Sequence, residues 1–405
     1  MSKNVPKVRF DGFSGDWEER ILGAISEKIS EKNKDNLYSE TFTNSAEFGI
    51  ITQRDFFEKD ISNKKNLDGY FIIRPDDFVY NPRISNRAPV GPIKRNTLGR
   101  TGVMSPLYYA FRVFDIDKSY LEVYFHSSYW YKFMKLNGDS GARADRFAIK
   151  DTVFRKMPIP YPLLSEQQKI GAFFKNLDDI IALQQQLVEQ QQQYKKAMLQ
   201  KMFPQKGDRV PKVRFNGFSG NWEETRLSSL FESRNIKQIP TTEAPLMAFT
   251  STGGVEEKGE RFNREFLVKD ENKTYKRTEL NDLIYSSNNL DVGAIGRNKY
   301  GTAVISDVYE IFQTRNSTTP EFSEIIIKQK TFLNKVLKYR QGALYGQYRI
   351  YASDFLSVNI LIPSLKEQKK IGDFFQVIDR TIALHEKKLE DFQKLKKALL
   401  YYMFV

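Results

Sequence analysis

The chain has 405 residues, which is enough for two to four domains at about 100–200 residues per domain. It contains no cysteine and only two histidines, His126 and His385, which excludes a disulfide scaffold, thiolate catalysis and cysteine-ligated zinc. The formal net charge of +13 favours an anionic partner, foremost nucleic acid. With no secretory leader and no apolar run of about 18 residues, we expect a cytoplasmic location and no membrane partner.

The first segment of the chain recurs near its middle. Residues 5–19 read VPKVRFDGFSGDWEE, and residues 210–224 repeat 13 of these 15 positions. A second repeated segment joins 162–177 (PLLSEQQKIGAFFKNL) to 363–378 (PSLKEQKKIGDFFQVI). A period of about 200 residues is too long for a solenoid and indicates two tandem copies of one plan. We divide the chain into a first body at 1–160, a central helical segment at 161–207, a second body at 208–360 and a C-terminal helical segment at 361–405.

Between the repeats lie two bodies whose sequences show no alignment with each other. Short runs of β-branched and aromatic residues, broken by turn residues, predict strands in both bodies. These predicted strands lie at 70–74, 78–82, 109–114, 282–287, 302–306 and 358–363. Amphipathic helices are predicted over 120–136 and 322–339. Each body is therefore predicted to be a mixed α/β domain.

Two long stretches of the bodies are basic and free of acid. Residues 78–114 and 325–353 each carry six cations and no carboxylate. Loop-like sequence lies at 81–102 and 339–355, which overlap these stretches, and earlier in the second body at 286–301. Arg, Lys, Asn and Gln read base edges and neutralise phosphates, although such stretches can also be ordinary solvated loops. The candidate DNA-contacting residues are Arg83, Arg87, Lys94, Arg95, Arg100, Arg143, Arg146, Asn289, Arg297, Lys299, Tyr300, Arg340, Tyr345, Gln347 and Arg349.

Each repeat ends in a long amphipathic segment. Apolar residues recur at spacings of three and four over about five heptads, which predicts two helices of about 38 residues with a coiled-coil seam. Capping boxes are predicted at Ser165 with Gln168 and at Ser364 with Glu367. We expect the two helices to pair within the chain, the alternative being a coiled coil between chains. The predicted pairing residues are Ile170, Phe174, Leu177, Ile181, Gln184, Ile371, Phe375, Ile378, Ile382 and His385.

The sequence lacks the usual motifs of catalysis. It contains no G-x-x-x-x-G-K-[ST], H-E-x-x-H or G-x-S-x-G pattern. An amino-methyltransferase would carry an Asn/Asp-Pro-Pro-aromatic segment, which Asn81-Pro82-Arg83-Ile84 departs from after one proline. We therefore predict no catalytic residue and no metal site in this chain.

The repeated segment P-x-L-x-E-Q-x-K-I-G-x-F-F, at 162–174 and 363–375, closes both bodies and opens both helices. With the sequence that precedes it, at 145–162 and 347–363, it resembles the DNA-specificity subunit of Type I restriction-modification systems. The resemblance covers essentially the whole chain. It implies two target recognition domains held apart by antiparallel helices related by a pseudo-two-fold, each domain reading one half of a bipartite, asymmetric DNA site.

The resemblance also implies partners. These are double-stranded DNA, two methyltransferase subunits and further translocase–nuclease subunits. S-adenosylmethionine, ATP and Mg would belong to those partner subunits, and this chain would be a non-catalytic subunit without a cofactor of its own. Two alternatives from other classes remain: a self-contained DNA-modifying enzyme with an unfamiliar site, and a coiled-coil scaffold for protein interactions.

Overall fold

The structure is a computed structural model that describes residues 4–57, 67–139, 145–250, 254–257, 273–288, 290, 294–344 and 347–405. The chain divides into two compact units. The first unit comprises Met1–Gln186 and Glu386–Val405, and the second comprises Leu187–His385. The last twenty residues of the chain therefore belong with the first body, a grouping that the sequence division did not anticipate.

The first unit contains ten strands, four short helices and the beginning of a long helix among its described residues. The strands are β1 (Glu18–Ile21), β2 (Ser26–Lys28), β3 (Phe42–Ser45), β4 (Gly49–Thr52), β5 (Phe71–Ile73), β6 (Phe78–Tyr80), β7 (Ile93–Arg95), β8 (Gly102–Met104), β9 (Tyr109–Val113) and β10 (Pro158–Tyr161). The helices are α1 (Gln53–Phe57), α2 (Lys118–His126), α3 (Trp130–Asn137), α4 (Asp151–Phe154) and the long α5 (Leu164–Lys201).

The second unit follows a similar order of elements, with three more strands among its described residues. Its strands are β11 (Glu223–Arg226), β12 (Phe231–Ser233), β13 (Lys237–Gln238), β14 (Ala248–Thr250), β15 (Gly254–Glu256), β16 (Tyr275–Thr278), β17 (Leu283–Ser286), β18 (Ile295–Arg297), β19 (Ala303–Ile305), β20 (Tyr309–Thr314), β21 (Gln341–Leu344), β22 (Gln347–Arg349) and β23 (Asn359–Ile362). Its helices are α6 (Pro320–Ile327), α7 (Lys330–Val336), α8 (Ala352–Ser357) and the long α9 (Leu365–Tyr402). The predicted mixed α/β fold with two long helices is confirmed.

A four-stranded antiparallel sheet forms the centre of each body. Its order is β2-β9-β6-β7 in the first unit and β12-β20-β17-β18 in the second. Smaller sheets flank it, β5-β8 in the first unit and β13-β16-β19 in the second. All six predicted strand segments coincide with observed strands, because alternating and β-branched runs pack one face of such sheets. The prediction of loops at 81–102, 286–301 and 339–355 is wrong in part. The first two segments contain the edge strands β7 and β18, and the third contains β21, β22 and the start of α8.

Aromatic side chains fill the space between each sheet and its helices. In the first unit the ring of Phe154, from α4, stacks on Tyr80 with centroids 5.1 Å apart. In the second unit Phe355, from α8, stacks on Tyr285 at 4.7 Å. The predicted single helices over 120–136 and 322–339 are each broken in two, which allows both halves to place apolar residues against the sheet.

The ends of the long helices belong to these cores. In the first unit, the start of α5 shares one apolar cluster with Met403 and Phe404 at the end of α9. In the second unit, the start of α9 shares a cluster with Met202 and Phe203 at the end of α5. The predicted pairing residues are buried except for Ile181 and His385, which are half-buried. Val188, which the sequence analysis did not select, is buried, whereas Leu187 beside it is only partly covered.

The beginnings of the long helices differ from the predicted capping boxes. Helix α5 begins at Leu164, so Ser165 lies inside its first turn and the box predicted there is wrong. Ser364 does precede α9, but the carboxylate of Glu367 accepts hydrogen bonds from Arg214 instead of closing a box. The helix starts are therefore held by tertiary contacts, which override the local capping pattern.

The repeated N-terminal segment connects the two helix ends within each unit. In the first unit, the guanidinium of Arg9 donates to both oxygens of Glu166 at 2.7 and 2.8 Å, and the Val8 N–H donates to the Tyr402 carbonyl at 2.9 Å. In the second unit, Arg214 binds Glu367 with two bonds of 2.7 Å, and the Val213 N–H donates to the Lys201 carbonyl at 2.9 Å. A near-identical segment recurs because it performs the same connection twice.

The glutamine that follows each buried glutamate attaches the body to the helix. The Gln167 Oε1 accepts from the backbone N–H of Asp117, the residue that caps α2, while its Nε2 donates to the Pro162 carbonyl. Gln368 makes the corresponding bonds to Thr319, which caps α6, and to Pro363. The repeated Glu-Gln pair thus fixes each recognition body against a helix start.

Candidate nucleic-acid interface

A tight turn follows the edge strand of each central sheet, and a buried asparagine holds it. In the first unit, the Asn96 side chain donates to the carbonyls of Arg74 and Arg100 and accepts from the Leu98 N–H. Its backbone N–H donates to the Asp77 carbonyl at 2.8 Å. Gly99 completes the turn at φ +70°, a conformation that favours glycine.

The second unit contains the same turn. The Asn298 side chain donates to the Gly301 carbonyl at 2.7 Å and accepts from the Tyr300 N–H at 2.9 Å. The Asn298 N–H donates to the Asp282 carbonyl at 2.8 Å. Both turns thus have a hydrogen-bonded backbone beneath different exposed side chains, Thr97 in the first unit and Lys299 and Tyr300 in the second.

A sequence signal for this turn was present and was missed. The pattern Ile-x-Arg-Asn-x-x-Gly occurs at 93–99 and again at 295–301, inside bodies that otherwise show no alignment. An arginine followed by asparagine, with glycine three residues later, fits a strand that ends in an Asn-stabilised turn. Structural equivalence therefore extends into the regions that we treated as unrelated.

The candidate cations of the first unit occupy different environments. Arg83 is exposed and forms an isolated backbone bridge with Arg146, so these two predicted residues lie together. Arg87 reaches Glu47 at 2.5 Å, and Arg100 makes a bidentate pair with Glu40 at 2.8 and 2.9 Å. Arg87 and Arg100 are exposed, so phosphates can compete with their carboxylate partners.

Lys94 and Arg95 lie deeper, beside α2. Arg95 pairs with Glu122 at 2.6 Å and with Asp76 at 3.4 Å, and only 16% of its side chain is exposed. Burial lowers the pKa of Lys94, with partial compensation from Glu122. Burial, helped by Lys94 and Lys396, also holds the pKa of His126 well below its usual value, so this imidazole is neutral near pH 7.

In the second unit, Arg297 is committed to internal contacts. Its guanidinium bonds Glu321 at 2.6 Å, Glu324 at 3.2 Å and Asn281 at 2.7 Å, and its side chain is 9% exposed. Burial would raise the pKa of Glu324, but Lys328 and Lys299 outweigh burial and lower it. Arg297 therefore supports the turn from below, and Lys299 is more accessible than Arg297 to an outside ligand.

The remaining candidates of the second unit lie at its surface or outside the described residues. Tyr300 is 48% exposed, and Arg340 is exposed. Arg349 reaches Glu310 at 3.3 Å and lies over the ring of Tyr351. Arg143, Asn289 and Tyr345 lie outside the described residues, and Gln347 is placed only by its backbone in β22. Contact of these residues with DNA stays a prediction.

No group of three or more His, Cys, Asp or Glu side chains within the described ranges has the arrangement to hold a metal ion. Across the same ranges, no helix is long and apolar enough to span a bilayer.

The chain thus consists of two bodies of one plan, and a repeated Arg–Glu pair fixes each body to a long helix. This arrangement can be compared with that of known proteins. The family model for the Type I restriction modification DNA specificity domain matches residues 14–191 and 219–393. The chain therefore belongs to this family, and the two matches correspond to the two copies of the internal repeat.

Curated relatives and solved structures are consistent with this membership. A Type I restriction enzyme MjaVIII specificity subunit from Methanocaldococcus jannaschii is 24% identical over 268 residues, which cover 62% of each chain. A putative Type I restriction enzyme MjaX specificity subunit from the same organism is 22% identical over 263 residues, which cover 62% of this chain and 60% of the relative. This chain thus spans about three fifths of the curated relatives it matches. A crystal structure of a Type I restriction-modification S subunit from M. genitalium shares the fold, with a TM-score of 0.60, 13% identity and 99% of both chains covered. A chain from a structural study of assembly in a Type I system gives a TM-score of 0.52 at 13% identity over 95% and 96% of the chains.

Proposed function

We propose that this chain is the DNA-specificity subunit of a Type I restriction-modification complex. Its two bodies would recognise the two halves of a bipartite, asymmetric DNA site and position methyltransferase and restriction subunits there. The observation that carries the proposal is the repeated attachment of two different surfaces to one scaffold. The Arg–Glu pair, the glutamine that bonds to the helix cap and the Asn-held turn recur in both units, whereas the exposed turn residues differ.

Contacts within the two units support an antiparallel helical spacer. Asp178 pairs with Lys396 in the first unit, and Lys195 pairs with Asp379 at 2.5 Å in the second. From the first pair to the second, the residue number rises by 17 along α5, from Asp178 to Lys195, and falls by 17 along α9, from Lys396 to Asp379. This match supports two helices that run in opposite directions. The repeat aligns Asp178 with Asp379 and Lys195 with Lys396, so each pair is the counterpart of the other. This exchange supports a coiled coil with a pseudo-two-fold relation between its helices.

Chemistry in such a complex would belong to the partners. S-adenosylmethionine would be bound by two methyltransferase subunits, and ATP and Mg by the restriction subunits. The target base is inaccessible in the stacked duplex, so methylation requires its extrusion into the partner's site. This chain would place that site over the correct base by holding both half-sites at once.

A methylation map tests the proposal. The chain is expressed with its methyltransferase subunit in a host that lacks DNA methylation, and the DNA is sequenced by a method that detects modified bases. We expect a split motif, two short half-sites around a nonspecific gap, only when this chain is present. Assembly of the complex without a new motif would contradict the proposal, and so would an unchanged motif when this chain is omitted.

A further inference from the structure

A basic cleft lies in the second unit where the recognition body meets the long helices. We call it the second-unit cleft. Seven cationic side chains line it against three carboxylates, an excess of four positive charges. The cations are Lys195, Lys196, Arg297, Lys299, Lys328, Lys330 and Arg380, and the carboxylates are Glu321, Glu324 and Asp379.

Three of these cations have no carboxylate partner among the described residues. Arg297, Lys299 and Lys328 share Glu324, and Lys195 is paired with Asp379. The unpaired cations are Lys196 on α5, Lys330 at the start of α7 and Arg380 on α9, and all three are exposed.

The first unit has a corresponding cleft that lacks four of these seven cations. The short helices of the two units are aligned by matching their N-cap residues, Asp117 and Thr319. The long helices are aligned by matching Gly171 with Gly372, because each glycine lies against the start of the capped short helix. On this alignment the first unit has Ser128 in place of Lys330, Asp179 in place of Arg380, His126 in place of Lys328 and Thr97 in place of Lys299. The other three cations, Lys195, Lys196 and Arg297, have cationic counterparts in Lys396, Lys397 and Arg95.

The charge of the first-unit cleft is correspondingly close to balance. Its lining includes four cations, Arg87, Lys94, Arg95 and Lys396, and three carboxylates, Glu47, Glu122 and Asp178. Arg87 and Arg95 are bound to Glu47 and Glu122, and Lys396 is bound to Asp178. The excess charge of the second-unit cleft is therefore not a requirement of the shared scaffold.

We infer that the second-unit cleft contacts the DNA phosphate backbone, so that the second half of the chain supplies more of the sequence-independent binding than the first. The inference rests on the proposed function. Unpaired cations on three different elements suit a continuous polyanion, whereas a single carboxylate would satisfy only one of them. The cleft also includes Lys299 from the exposed turn, which would continue the contact from backbone to recognition surface.

The salt dependence of DNA binding tests the inference. The triple variant K196A/K330A/R380A, assembled with the methyltransferase subunit, is titrated with a labelled mixed-sequence duplex over a series of KCl concentrations. Each lost phosphate contact reduces the slope of log affinity against log salt by about 0.9. We expect the slope to become shallower by about 2–3 for the three substitutions.

A charge-matched control separates the cleft from net charge. The variant K175A/K369A/K388A removes three exposed helix lysines that do not line this cleft, and its slope should stay near that of the original chain. Equal slopes for the cleft variant and the original chain would overturn the inference, as would equal reductions in both variants. Loss of methyltransferase assembly in the cleft variant alone would overturn it in favour of an acidic protein partner.

A gain of charge in the first unit gives the converse test. The substitutions Ser128→Lys and Asp179→Arg import the second-unit cations at exposed positions. They should steepen the salt dependence, and an unchanged slope would count against the inference. The methylation map is measured separately on the original chain, so failure of the cleft can be distinguished from failure of the proposed function.

Discussion

At the residue scale, the start of each long helix depends on a buried ion pair. Glu166 has no exposed side-chain surface, and Arg9 is 13% exposed. Glu367 and Arg214 are similarly buried. Removing one partner from such a pair leaves an uncompensated buried charge, which costs more than the pair itself contributes.

We predict that Arg9→Met destabilises the first unit by about 3–5 kcal/mol, because Glu166 would be left charged and buried. Urea unfolding in a Trp222→Phe background, where only Trp17 and Trp130 report, measures this loss. Lys394→Ala breaks an exposed helical pair with Glu390 and should leave the free energy of unfolding nearly unchanged, because solvent screens such a pair. A loss below 1 kcal/mol for Arg9→Met would show that the pair does not hold the helix start.

The second residue-scale prediction concerns His126. Burial among Lys94, Arg95 and Lys396 holds its pKa below the ordinary value of about 6.5. Below about pH 6.5, His126 therefore binds a proton in the unfolded chain but stays neutral in the folded chain, and the protein loses stability as the pH falls. Burial raises the pKa of neighbouring Glu122, which opposes this trend at more acidic pH.

Between pH 7 and 5.5, we expect the free energy of unfolding to fall less steeply with pH in His126→Gln than in the original chain. The difference in slope should be at most about 1.4 kcal/mol per pH unit. Urea unfolding at several pH values measures it, and His385→Gln is the matched control for loss of the other histidine. Equal pH slopes for His126→Gln and the original chain would contradict the assignment.

At the element scale, each long helix is a rigid rod of 38 residues, about 57 Å at 1.5 Å per residue. Ion pairs hold α5 against α9 in each unit, at Asp178–Lys396 and Lys195–Asp379. If the helices are a spacer, the length of chain between these pairs sets the gap between half-sites.

Deleting residues 186–192 and 387–393 together tests the spacer. These segments are equivalent in the repeat, and seven residues are close to two full turns, so the packing faces are kept. The rods shorten by about 10 Å, which corresponds to about three base pairs at 3.4 Å each. We expect the methylated motif to lose about three base pairs of its gap while both half-sites stay the same; an unchanged gap would exclude the spacer role.

At the scale of the whole molecule, the chain combines one scaffold with two unlike surfaces. The scaffold residues recur at equivalent positions, whereas the turn residues and the cleft charges differ. Under the proposed function, such an arrangement would allow each body to change its target without altering how it is attached.

We therefore predict that replacing residues 230–356 with the equivalent body of a relative changes one half-site only. The exchanged segment leaves Arg214, Glu367 and Gln368 in place but includes Thr319, so the incoming body has to offer Gln368 a backbone N–H at the same helix cap. Methylation mapping of the chimera measures the result, and a change in both half-sites would refute independent reading.

Much of the architecture was predictable from sequence, because it depends on local patterns. Periodic apolar residues predicted both long helices, and alternating runs predicted six strands that are all observed. The duplicated segments predicted two copies of one plan. Even the Asn-held turn had a signal, Ile-x-Arg-Asn-x-x-Gly, that a closer comparison of the bodies would have found.

The sequence by itself determined the repeat, the classes of element and the family resemblance, since these reside in periodicity and motif spacing. Tertiary structure alone decided which charges are free. Arg297 and Lys196 are both cations in the sequence, yet Arg297 is enclosed by Glu321 and Glu324 whereas Lys196 is exposed and unpaired among the described residues. Such partners lie far apart in the chain, and only the folded backbone brings them within hydrogen-bonding distance.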